Sequence, residues 1–148
     1  MNTKSEIAVE LFNKGFNCAQ AVLASHSEEF GLDITLAHKI GCAFIGGIAN
    51  NGEVCGAVVG ALMLIGLKYG QYLEGDVDSK ENTKKITNIY LQKFKQEYGT
   101  IICRELLKYN ISMEEEAQKA RDAGVFKTLC PLFVKKSVEL AEELLEFA

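Results

Sequence analysis

An uncharged run from Val54 to Leu67 carries Gly56, Gly60 and Gly66 within it, and few folds accommodate such a segment. It is too short to span a bilayer comfortably, and no side of it offers charge to water. A buried helix meets both conditions. Gly56 and Gly60 lie four apart, with Ala57 and Ala61 beside them, so one stripe of small residues lets a second backbone approach closely. The pattern predicts a central helix from about Glu53 to Tyr69.

Helical punctuation continues on both sides, while strand-like alternation is nearly absent. Thr3 with Glu6 reads as a capping box for a first helix, which Gly15 ends. Asn17 caps a second helix, Cys18 to Phe30, stopped by Gly31. Asp33 or Thr35 opens a third that runs to about Phe44 or Ile45. The stretch from Gly46 to Gly52 reads as a loop, because glycine and asparagine tolerate positive φ. Ser79 to Tyr98 forms a long amphipathic helix ended by Gly99, with Ile86, Tyr90, Phe94 and Tyr98 at spacing four. Thr100 caps a short helix holding Cys103 and Arg104, and Ser112 with Glu115 repeats the capping-box pattern. Pro131 opens the last helix, whose apolar stripe is Val134, Val138, Ala141, Leu145 and Ala148. The expected fold is all-α: a single domain, residues 1–148, built as an antiparallel bundle of about six to eight helices. Val54–Tyr69 and Ser79–Tyr98 are expected near its centre.

Charge narrows the functional classes. The net charge is -4 and the pI about 5.3, with no dominant basic patch, which argues against nucleic-acid binding. The segment 1–14 lacks the basic, apolar, small-residue order of a signal peptide. The expectation is a cytoplasmic protein that is not itself transmembrane. The small-residue stripe makes a homodimer a candidate. Tyr69, Tyr72, Tyr90 and Phe94 either line a cofactor cavity or pack the core. There is no Ser/His/Asp set, no phosphate-binding glycine loop of the G-x-x-x-x-G-K-[ST] type and no H-E-x-x-H.

The chemistry lies in five cysteines. An odd number excludes complete internal pairing, and no C-x-x-C spacing supports a zinc ribbon or a thioredoxin-type site. In a reducing compartment such thiols serve catalysis, metal binding or sensing more often than permanent disulfides. Cys18, Cys55, Cys103 and Cys130 fall at or near predicted helix starts, whereas Cys42 falls well inside a predicted helix. A helix start presents unpaired N–H groups and about half a positive charge, both favouring thiolate. The dipole contributes about 0.3–1 kcal/mol, less than one pKa unit at about 1.36 kcal/mol. Full activation therefore needs a cation such as Arg104 beside Cys103, or a metal. His38 sits four before Cys42 on one helical face and could bind a metal or activate that thiol; His26 is a weaker candidate. Glu53, close to Cys55, opposes ionisation there. Against all of this stands the plain alternative, in which cysteine is a small buried hydrophobe.

Two short motifs add to this reading. Gly41-Cys42-Ala43-Phe44-Ile45-Gly46 reads GCAxxG, and Cys55-Gly56-Ala57-Val58-Val59-Gly60 reads CGAxxG. With Cys18 upstream and Cys103 downstream, the order resembles the redox-active family named for the pattern C_GCAxxG_C_C, over nearly the whole chain. The resemblance implies a thiol or metal–thiolate role and places the family's named cysteines on Cys18, Cys42, Cys55 and Cys103, with Cys130 outside the named pattern. On it rests the expectation of thiol or electron exchange through those four, gathered at one end of the bundle, as in an oxidoreductase. A pair such as Cys42 and Cys55 would cycle to a disulfide if their α-carbons lie within about 7 Å. The alternative is a metal module, with zinc or an iron–sulfur cluster held by Cys18, Cys42, Cys55, Cys103 and Cys130, His38 being a further candidate ligand. A third reading is a non-enzymatic accessory to a membrane transporter, since the family is often encoded near transporter genes. A redox partner is the remaining candidate.

Overall fold

The computed structural model describes residues 2–146. Helices α1 (Lys4–Asn13), α2 (Cys18–His26), α3 (Ile34–Gly41), α4 (Gly56–Tyr69) and α5 (Val77–Tyr98) are followed by α6 (Cys103–Leu107), α7 (Glu114–Ala123), α8 (Val125–Thr128) and α9 (Cys130–Leu145). Among the described residues the fold is all-α, and α8 is a single turn between two of the expected helices.

Local chemistry explains most boundaries. At α1 the Thr3 hydroxyl accepts from the Glu6 N–H at 3.2 Å, and the Glu6 carboxylate accepts from the Thr3 N–H at 2.9 Å. The start of α2 repeats the device with Asn17 and Gln20, at 2.9 and 2.8 Å. Gly31 and Gly99 both take φ of 84° as they end their segments. Several boundaries differ from expectation. α2 gives way to a 3-10 turn over Ser27–Phe30, and α5 begins at Val77 with Asp76 as its cap. α6 has no side-chain cap, because the Thr100 hydroxyl accepts from the Ile102 N–H and donates to Glu105 instead. α3 ends at Gly41, and Cys42–Phe44 tightens into a 3-10 turn. α7 begins without a side-chain cap, because Ser112 bonds to Asn110 instead. α4 starts at Gly56 rather than near Glu53. The preceding segment is drawn into an isolated antiparallel bridge between Val54 and Ile102.

The core is organised around α2, α4 and α9. Every residue of α2 from Ala19 to His26 is buried, and α4 buries Gly56, Ala57, Val58, Gly60, Ala61, Leu64 and Ile65. The glycine stripe of α4 faces α2. A Cβ on Gly60 would stand 2.8 Å from Val22 Cβ and 2.9 Å from the Ala19 carbonyl oxygen. On its other flank α2 meets Gly41, where a Cβ would lie 3.0 Å from Gln20 Cα. Thus α2 is held close by glycines on two neighbours. Along α9, Val134, Val138, Ala141 and Leu145 are buried as the stripe requires; Ala148 lies outside the described residues. α5 is less central than expected, for it buries only Tyr90 and Phe94. The Tyr90 hydroxyl donates to Ser137 on α9 at 2.9 Å, which satisfies both buried groups.

Between α3 and α4 the chain runs through the left-handed region for five consecutive residues. Gly46, Gly47, Ile48, Ala49 and Asn50 have φ of 59°, 68°, 67°, 49° and 62°. Only two are glycine, and Ile48 is β-branched, the class that resists this conformation most. Backbone hydrogen bonds hold the turn, including Asn50 N–H to Ile45 O at 2.8 Å and Glu53 N–H to Gly47 O at 2.9 Å.

Candidate functional site

Four helix starts converge on one cavity. Cys18, Cys103 and Cys130 are the first residues of α2, α6 and α9, and Cys55 is the residue preceding α4. All four line a cavity of about 320 Å³. The rest of its wall is aromatic and aliphatic, with Phe12, Phe16, Phe126 and Phe133 joined by Ile45, Leu106 and Leu107. Asn17 and Asn50 are its polar side chains other than the thiols. No charged residue lies on the described wall.

Each thiol is placed by a local device. The Asn17–Gln20 capping box fixes the start of α2, and Asn17 Nδ2 also donates to the carbonyls of Gly41 and Cys42, both at 3.2 Å. Gly56 lets Cys18 sit against α4, since a Cβ there would be 3.2 Å from Cys18 Cβ. The bridge places Cys55 and Cys103 together. The Cys55 N–H donates to Ile101 O at 2.8 Å, and the Cys103 N–H to Glu53 O at 2.6 Å. With Val54 opposite Ile102, the two cysteines are diagonal neighbours on the other face. Such neighbours are typically about 7–8 Å apart, at the edge of disulfide reach. Gly47 closes in on the same corner, where a Cβ would meet Cys103 Cβ at 2.7 Å.

Cys42 is not on the wall. Its carbonyl is tied to Asn17, but its side chain is exposed. The expected Cys42–Cys55 pair thus joins an exposed position to a buried one that lines the cavity. His38 stacks its ring on Phe16, centroids 3.9 Å apart and planes 4° from parallel, and its pKa is lowered by loss of solvent. His26 is buried at the far end of α2 between Glu29, at 3.1 Å, and Glu142, at 3.3 Å. Tyr90 and Phe94 are core residues, Tyr72 is exposed, and Tyr69 donates to Leu144 O at 2.7 Å. None of these lines the cavity. Among the described residues, no group of three or more His, Cys, Asp or Glu side chains is placed to hold a metal ion.

The electrostatics separate the four thiols. Burial pushes Cys55 up to about 11, with the N–H groups of Ala57 and Val58 pulling the other way and Cys130 adding a smaller upward push. Burial also pushes Cys103 up to about 12, reinforced by Cys55 and Cys130. Cys18 and Cys130 form a coupled pair. Interaction with the Cys130 thiol is the first cause holding Cys18 well above the ordinary value, followed by burial and then by the other cysteines. The same interaction lowers Cys130 against the opposing effect of burial. The physical content is that one thiol keeps its proton and offers it to the sulfur of the other. Arg104 does not supply the expected cation. Its guanidinium pairs with Glu53 at 3.3 Å, donates to Gly52 O at 3.4 Å and lies off the wall.

The family model described as "Putative redox-active protein (C_GCAxxG_C_C)" matches residues 16–144. The chain belongs to this family. No curated protein and no solved structure gave a significant match. Within this family member, the cysteines brought to the cavity run in chain order as Cys18, Cys55 at the head of CGAxxG, Cys103 and Cys130. Literal reading of the motif favours Cys42 and leaves out Cys130. Position at a helix start, also visible in the sequence, separates the five as the cavity does.

Proposed function

We propose that this chain carries out thiol–disulfide exchange in the cavity, with Cys130 as the attacking sulfur and Cys18 as the resolving one. The reading is supported by one observation above the rest: Cys18 and Cys130, at the starts of α2 and α9, line the same cavity, and each acts first on the ionisation of the other. A Cys130 thiolate attacks one sulfur of an incoming disulfide, forming a mixed disulfide and expelling the other sulfur as a thiolate. Cys18 then attacks the Cys130 sulfur, closing the Cys18–Cys130 bond and releasing the second product. The substrate gains two electrons and the protein loses two. The protons of the two cysteines end on the two product thiols. At pH 7 a thiol at about 11 is ionised in roughly one molecule in ten thousand, so Cys55 and Cys103 stay protonated while the pair reacts.

Equilibration of the reduced protein in buffers of 2-mercaptoethanol and its disulfide, an uncharged monothiol couple, followed by alkylation and peptide mapping, tests this. A Cys18–Cys130 disulfide is the expected oxidised form; Cys130→Ser should abolish it, and Cys18→Ser should accumulate a mixed disulfide on Cys130. Persistence of both thiols in the oxidising buffers, or oxidation through Cys42 alone, would refute the assignment.

A further inference from the structure

We infer that the disulfide this cavity accepts is a small, uncharged, apolar molecule rather than a peptide or an anionic thiol compound. The inference rests on the exchange reading above and adds the class of its substrate. Size sets one bound. At about 320 Å³ the space lies at the small end of ligand pockets, which run from about 300 to 1,000 Å³. It takes one compact organic molecule, not a folded chain bearing a disulfide.

Charge sets the second bound. Carboxylates and ammonium groups lose hydration on entering an apolar space and regain it only from partners of opposite charge. Among the described residues the wall supplies none, and Arg104, the nearest candidate in sequence, is committed to Glu53 outside it. Polar handles are scarce as well. Asn17 is already engaged on both ends of its amide, accepting from Gln20 and donating to Gly41 and Cys42, which leaves Asn50 as the side-chain amide still able to contact a guest. Four phenylalanine rings provide the remaining surface, suited to aromatic or aliphatic groups flanking the sulfurs. The atom balance is that of the exchange reaction: the apolar disulfide is the oxidant, the Cys18–Cys130 dithiol the reductant, and two neutral thiols leave.

The test compares two chromogenic aromatic disulfides in single turnover, the uncharged 4,4′-dithiodipyridine and the dianionic 5,5′-dithiobis(2-nitrobenzoate). The fully reduced protein carries Cys42→Ser, so that the exposed thiol contributes nothing. Each rate is divided by that of the same reagent with dithiothreitol, which removes intrinsic reactivity. The normalised preference for the uncharged reagent is expected to be about tenfold or more. Adding Ile45→Lys, at a position 47% exposed on the cavity wall, places a cation there without disturbing the core and should shrink the preference severalfold. Equal normalised rates with a mapped Cys18–Cys130 disulfide would overturn the substrate class and leave the exchange reading intact. A preference that Ile45→Lys does not change would also overturn it. Failure of both reagents to produce that disulfide would overturn the exchange reading and the substrate class together.

Discussion

Helix α4 carries its own internal control for close packing. Gly60→Ala and Gly66→Ala make the same chemical change on one helix, each gaining about 0.8–1 kcal/mol of intrinsic helix propensity. At Gly66 a Cβ meets nothing within 4 Å, so that gain appears whole. The melting temperature should rise by about 2–4 °C for a chain of this size. At Gly60 the new methyl would stand 2.8 Å from Val22 Cβ and 2.9 Å from the Ala19 carbonyl oxygen. Ordinary carbon contacts need about 3.5–4.0 Å, so α2 and α4 must separate by roughly 1 Å. Overpacking of this kind costs about 1–3 kcal/mol, which cancels or exceeds the propensity gain. Gly60→Ala should therefore fall about 1–3 kcal/mol below Gly66→Ala. Urea unfolding followed by circular dichroism measures this, provided the slope with denaturant is unchanged. If Gly60→Ala proves as stable as Gly66→Ala, the glycine stripe is not what brings these helices together.

Three other outcomes follow from the same contacts. Stability should fall above pH 9, because Cys55 at about 11 and Cys103 at about 12 hold protons that the unfolded chain releases near 9.0. Below that value the stabilisation is complete; between it and 11–12 the unfolded state binds fewer protons, so unfolding becomes more favourable. By pH 10 the loss is at most about 2–3 kcal/mol for the two thiols together, and Cys55→Ala with Cys103→Ala should flatten the decline in a pH series of urea midpoints. Asn17→Ala removes a buried cap and two interhelical donations; it should lower stability by about 1–3 kcal/mol, and a loss under 0.5 kcal/mol would contradict that network. In native alkylation Cys42, the exposed thiol, should react first. Cys55, Cys103 and Cys130 are all buried, and of these Cys55 and Cys103, which burial keeps protonated, should react last; uniform labelling of all five would refute this pattern.

Features that depend on neighbouring residues were legible from the chain alone. The Thr3 and Asn17 caps, the left-handed Gly31 and Gly99, and the apolar stripe of α9 each rest on interactions within a turn or two. Where a partner lay farther off, local reasoning missed it. Glu53 reads as the first turn of α4, but Ile101 and Ile102, some fifty positions on, draw 53–55 into a bridge. His38, four before Cys42, could have served that thiol, but Phe16 from the connection before α2 takes its ring. Ser112 fails as a cap for a local reason instead, since Asn110, two residues before it, claims its hydroxyl. The same distinction applies to the thiols. Motif matching is local and points to Cys42, whereas membership of the cavity depends on how α2, α4, α6 and α9 meet.

The turn at 46–50 inverts the usual rules of substitution. For an L-residue with positive φ, the side chain itself is the source of strain, so replacing Ile48 or Ala49 by glycine should strengthen this segment, as a D-residue would in a synthetic chain. Threonine or valine should weaken it although they resemble what they replace. A mutational scan scored on ordinary preferences would rank these positions upside down.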